Sequence, residues 1–116
     1  MSQATTQILL PRTSYTGANS VIGTPVPAAS YYLSSQNLQT LTWNLVLFLG
    51  IINVQATLVD SPTEDDWFTV YSIDSVTIPV ALTQVSYYNI QGNFVWMRAK
   101  IENFTAGDIL NVKVSY

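Results

Sequence analysis

Gly92-Asn93-Phe94-Val95-Trp96-Met97-Arg98-Ala99-Lys100-Ile101-Glu102-Asn103-Phe104-Thr105-Ala106-Gly107, continuing as Asp108-Ile109-Leu110-Asn111-Val112-Lys113-Val114-Ser115-Tyr116, is the stretch whose reading decides the fold. Val95, Met97, Ala99 and Ile101 take the odd positions, while Arg98, Lys100 and Glu102 take the even ones. Period two is the mark of a strand with one buried face. Asn103 to Gly107 supplies turn residues, after which Val112, Val114 and Tyr116 alternate with Asn111, Lys113 and Ser115. The segment predicts a β-hairpin that closes the chain.

The same period recurs upstream. Leu41, Trp43, Leu45, Leu47 and Leu49 alternate with Thr42 and Asn44 before Val46 and Phe48 make both faces apolar, which predicts a central strand. A helix is the rival reading, but Thr40, Thr42 and Asn44 suit one poorly and no 3.6-residue period emerges. Gly50 breaks the run, and Ile52, Val54, Ala56 and Leu58 form the next inward row, so Gly50 reads as a hairpin connection. Asp60-Ser-Pro-Thr-Glu-Asp-Asp66 is a loop. Trp67 to Ile73, Val76 to Leu82 and Val85 to Ile90 are further strands, the second carrying Pro79 and therefore expected at an edge or bulge. Ala28 to Leu33, with the pair Tyr31-Tyr32, predicts one more. Seven or eight short strands separated by turn signals, with no convincing helix, predict an all-β fold: an antiparallel β-sandwich or jelly roll over residues 38–116. Residues 1–37, punctuated by Pro11, Gly17, Gly23, Pro25 and Pro27, read as an extended arm pinned against its own sandwich or a neighbour.

Composition narrows the function classes. Only 9% of the 116 residues are charged, against roughly a quarter in ordinary domains, and Ser, Thr, Asn and Gln take their place. Such a surface suits one covered by neighbours. The formal charge is −3 and the basic residues are Arg12, Arg98, Lys100 and Lys113, which disfavours a nucleic-acid partner. There is no cysteine and no histidine, so thiolate metal sites, disulfides and the commonest general base are absent. The longest apolar run, Leu45 to Ile52, is far below the roughly twenty residues of a membrane helix, and Met1 to Gln7 has no signal-peptide character. Neither a membrane partner nor secretion is expected.

Three groups of residues are candidate sites. Asp60, Glu64, Asp65 and Asp66 are hard oxygen donors on a loop, the chemistry of a Ca²⁺ site, but their spacing fits no EF-hand, and a solvated acidic connection explains them better. Exposed aromatics stack on sugar rings, which makes Trp96, Tyr87 and Tyr88 a candidate glycan platform, although burial in an interface uses large aromatics more often. Catalysis has no support, because no nucleophile, base and orienting group form a recognisable set. No cofactor is expected. The outward row of the final segment, Phe94, Trp96, Arg98 and Lys100, holds two aromatics and half the positive charge, so it is the first candidate interface, with Arg12 and Tyr15 of the arm beside it.

The segment from Gly92 to Gly107, ending in Asn111-Val-Lys-Val-Ser-Tyr116, resembles the C-terminal part of small β-sandwich structural proteins of tailed bacteriophages, particularly those of marine cyanobacteria. Asn37-Leu-Gln-Thr-Leu-Thr-Trp-Asn-Leu45, Val54-Gln-Ala-Thr-Leu58 and the Pro62 to Tyr71 segment carry the likeness upstream, so it spans about residues 37–116 and leaves the arm unmatched. The resemblance implies a non-enzymatic virion component assembled in the host bacterial cytoplasm. Its partners would be other virion proteins and copies of itself in a homo-oligomer. A capsid decoration or cement protein is the first expectation; a tail, baseplate or fibre module, or a glycan-binding sandwich, are the alternatives. The resemblance implies no catalytic residues.

Overall fold

A computed structural model describes residues 5–31, 37–75 and 81–116. Tyr32 and Leu33 of one expected strand, Val76 to Val80 with Pro79 of another, and the first four residues of the arm lie outside the described residues. The chain is all-β: β1 (Thr6–Leu10), β2 (Thr13–Ser14), β3 (Val21–Ile22), β4 (Val26–Pro27), β5 (Leu38–Thr57), β6 (Phe68–Asp74), β7 (Leu82–Gln91) and β8 (Trp96–Ser115), with one 3-10 turn at Glu64–Asp66. Among the described residues all pairings are antiparallel, as expected of a sandwich without crossover helices.

Two strands of 20 residues each, β5 and β8, organise the molecule. Fully extended, each would measure roughly 66 Å. The longest dimension of the molecule is 39 Å, so both must bend. They do so together, at places where their register shifts: between Val46 and Leu49, β5 carries two residues opposite Gly107, and between Leu49 and Ile51, β8 carries three opposite Gly50. Leu47 (φ 51°), Asn103 (φ 52°) and Gly107 (φ 97°) take the left-handed conformation that turns the corner.

This corrects two expectations. Gly50 and the Asn103 to Gly107 segment do not connect separate hairpin strands; each lies inside one continuous, folded-over strand. The bend makes two sheets from one ladder. In the first sheet β7, residues 38–46 of β5, residues 108–115 of β8, and β1 with β2 lie side by side. In the second, β6, residues 49–57 of β5, residues 96–106 of β8, and β3 with β4 do the same. The Trp43 and Tyr71 rings, 5.5 Å apart, show that the halves face each other, because Tyr71 pairs with Val54, eleven positions beyond Trp43 along β5.

The core sits between the sheets. Leu41, Trp43 and Leu45 point inward from the first half of β5, and Ile52, Val54 and Ala56 from the second, with fully buried Phe48 at the corner. The switch from odd to even positions is the trace of the bulge. Met97, Ala99, Ile101, Ile109, Val112 and Val114 of β8 meet them in register. Residues 5–28 close the open edge of β8: Leu9, Leu10 and Ala28 are buried in the same core, and Val21 and Val26 pack against it. The ends of the described chain meet, Thr5 and Tyr116 exchanging backbone hydrogen bonds of 2.8 and 2.9 Å.

Candidate interaction surfaces

The outward side of the second sheet does not lie open. After β5 ends at Thr57, the loop to β6 folds back across it. Its fold is set locally by Thr63 and Asp66: the Asp66 carboxylate accepts from Thr63 N–H (2.7 Å) and Thr63 Oγ1 (3.1 Å), and Asp66 N–H donates to Thr63 O (3.0 Å). That turn delivers Glu64 and Trp67 onto Arg98. The guanidinium donates to both Glu64 oxygens (2.8 and 3.0 Å) and through Nε to Gln55 Oε1 (2.8 Å), while its carbon lies 4.4 Å from the Trp67 ring centre. Arg98 is 5% exposed, so it is a buried cation with a bidentate partner, an amide and an aromatic face. The hydrogen bonds and charge of Arg98 hold the Glu64 carboxyl below its ordinary value. Nearer the start of β8, Trp96 donates Nε1–H to Asp60 O (2.9 Å) and packs edge-on against Tyr31, with ring centres 4.8 Å apart.

The expected interface row is therefore distributed. Phe94 is turned into the core, edge-on to Phe68 at 5.8 Å, and is not part of an outward face. Trp96 is half-buried, Arg98 is covered, and Lys100 is half-exposed beside Glu102 (3.5 Å). Arg12 is exposed on the arm, and Tyr15 is exposed with its ring edge-on to Phe104 at 5.3 Å. Of the acidic loop, Glu64 is engaged by Arg98 and Asp66 by Thr63, and among the described residues no three acidic side chains are grouped as a metal site requires. Asp60 touches Trp96 through its backbone, and Asp65 is exposed in the turn.

The glycan candidates do not converge either. Tyr87 and Tyr88 are consecutive on β7 and point to opposite sides. Tyr88 stacks on Tyr71 (4.1 Å between centres, 18° between planes), extending the aromatic row that begins at Trp43, whose Nε1–H donates to Gln84 Oε1 (3.1 Å). Tyr87 pairs with Thr42 and looks outward from the first sheet, whereas Trp96 pairs with Thr57 on the second. The two rings thus belong to opposite outer faces.

Of that first outer face the sequence singled out Tyr87 alone, as a glycan candidate, and not the surface around it. Thr42 and Lys113 pair across its middle, Tyr87 and Val85 stand at the β7 side with exposures of 65% and 76%, and Ile8 lies at the β1 side. Lys113 is the one charge in this group. The readable signal was apolar side chains at outward positions of a strand, Val85 and Tyr87 in Leu82–Gln91.

No family model matches the chain, and no curated protein does. Among solved structures, a family 29 carbohydrate binding module, CBM29_1 from Piromyces equi, is similar to it with a TM-score of 0.46 and 12% identity, over 97% of this chain and 91% of that one. A likeness at that level carries nothing about ligand or partner.

Proposed function

We propose that the chain is a non-enzymatic assembly module, a structural subunit of a tailed-phage particle that works by packing its outer faces against other protein. The observation that carries this reading is the first outer face, where Val85 and Tyr87 stand exposed together on β7 and Ile8 on β1, with Thr42 and the single cation Lys113 between them. Monomeric soluble domains keep such patches small, and exposed contiguous ones mark interaction sites. The resemblance over residues 37–116 supplies the particle, and the exterior of the shell, as a decoration or cement protein, is the position we favour. The arm takes part through its outward side chains alone, Ile8, Arg12, Tyr15 and Ile22, since its inward ones serve the core. Particles purified from infection should contain the chain at a fixed stoichiometry and show it on the surface by electron microscopy. Purified particles lacking it would overturn the assignment.

A second reading keeps the same face for a carbohydrate. Tyr87 offers an open ring, with Thr42 beside it and Lys113 next in line as polar contacts. Under that reading a glycan array gives a signal that Tyr87→Ala abolishes and Trp96→Ala leaves intact. A silent array removes it.

A further inference from the structure

A sheet edge is a row of unsatisfied N–H and C=O groups, and proteins guard it with charge, proline or interruption. The edge formed along β8 is broken into pieces of two to five residues and carries Pro11, Pro25 and Pro27. The β6 edge is short, follows Glu64, Asp65 and Asp66, and ends at Asp74. Among the described residues the third edge has no guard. β7 runs ten residues, Leu82–Gln91, with no charge, proline or glycine, and among the described residues it pairs with β5 alone.

The phase of that edge follows from one hydrogen bond. Gly92 N–H donates to Asn37 O at 2.7 Å, in the same register as the ladder from Leu38↔Gln91 to Leu45↔Gln84. Bonded pairs alternate with unbonded ones, so Ile90, Tyr88 and Ser86 spend their backbone groups on β5. Val85, Tyr87 and Asn89 turn theirs to the open side.

We propose that β7 pairs antiparallel with β7 of a second copy of this chain, about a two-fold axis at Ser86, joining the first sheets of two molecules into one. A neutral strand meets its own copy without like-charge repulsion, which the acidic surroundings of β6 would not allow in a chain of net charge −3. The axis at Ser86 sets Val85 opposite the partner's Tyr87 and Tyr87 opposite the partner's Val85. Both are β-branched–aromatic pairs on the outer face. An axis at Tyr87 would instead place Val85 against a polar Asn89. The pairing does not depend on the particle assignment, since a glycan-binding sandwich would dimerise through the same edge.

The test uses the whole chain, which has no native cysteine. Sedimentation equilibrium should give twice the 12.8 kDa monomer mass, and Val85→Lys, at a position 76% exposed, should give the monomer with an unchanged circular dichroism spectrum. Ser86 faces its copy in an unbonded pair, with Cα atoms roughly 4.5 Å apart, inside the disulfide range. Oxidised Ser86→Cys should therefore cross-link quantitatively and Thr69→Cys on β6 should not. A wild-type protein monomeric up to its solubility limit overturns the proposal. So does a dimer that survives Val85→Lys, or one that Thr69→Cys cross-links in preference to Ser86→Cys.

Discussion

Leu47 and Gly107 face each other where β5 and β8 turn, and both are left-handed, but they bear it differently. Gly107 has no alternative: a Cβ there would strike the Leu47 carbonyl and the Phe48 Cα. Gly107→Ala adds that collision to the ordinary cost of a left-handed L-residue, so it should destabilise the fold by at least about 2 kcal/mol. Leu47 is 60% exposed and holds the same conformation without packing to reward it. Leu47→Gly should raise stability by about 1 kcal/mol, read as a higher urea midpoint at constant m. A lower midpoint would mean that the Leu47 side chain supports the corner. Glu64 makes a second residue-level case. Its carboxyl has a lower pKa in the folded chain than its ordinary 4.5, so the unfolded chain takes the proton first. Its contribution is complete above that ordinary value and is lost as pH falls through the folded one. Glu64→Gln should melt below wild type at neutral pH, by leaving the Arg98 cation buried without its counter-charge, and the two melting curves should draw together in acid. A gap that stays constant across that range contradicts the pairing.

At the scale of elements, the short strands β1 to β4 matter more than their lengths suggest. Leu9 and Leu10 are each 1% exposed, both reaching the core through the irregular register between Ile8 and Leu10. Leu9→Ala should cost about 2–5 kcal/mol, while Ile8→Ala, one position away and 53% exposed, should stay within about 0.5 kcal/mol in stability. Equal effects would mean that the segment is only draped over the sheet. This bears on what the sequence could disclose. The alternating rows of β5 and β8 were legible because inward Leu41, Trp43 and Leu45, or Met97, Ala99 and Ile101, keep period two for several residues. Pieces of two residues, such as Val21–Ile22, show no period at all. The corners were misread for a physical reason: Asn and Gly supply the same left-handed backbone to a bend within a strand as to a turn between strands. Only the continued pairing partners distinguish them. The flip of inward parity from Leu45 to Phe48 was the available clue. Arg98 was legible as outward-facing, and its sheet position agrees; its burial was not, because it depends on Glu64 and Trp67 arriving from a distant loop.

For the whole molecule the consequence is cooperativity. One core is lined by both halves of two folded-over strands and by the N-terminal segments, so no part can leave without opening the rest. Two of the bonds that hold the N-terminal segments run from Gly23 N–H to Ala99 O of β8 (2.8 Å) and from Ala28 N–H to Val95 O, the residue before β8 (2.9 Å). In a segment that merely adhered, such amides would exchange through local fraying. Here Val21 and Val26 pack against the core and Ala28 lies within it, so the amides of Gly23 and Ala28 should be released only on global unfolding, at the same free energy as those of Leu41 and Val54 in β5. Fluorescence from Trp43, Trp67 and Trp96, which report the core, the covering loop and the outer end of β8, should trace the same denaturant transition as the far-ultraviolet signal. Native-state hydrogen exchange decides the matter: early exchange at Gly23 and Ala28 with β5 still protected would make the N-terminal segments a detachable arm, and common protection would leave the proposed assembly to the outer faces and the β7 edge.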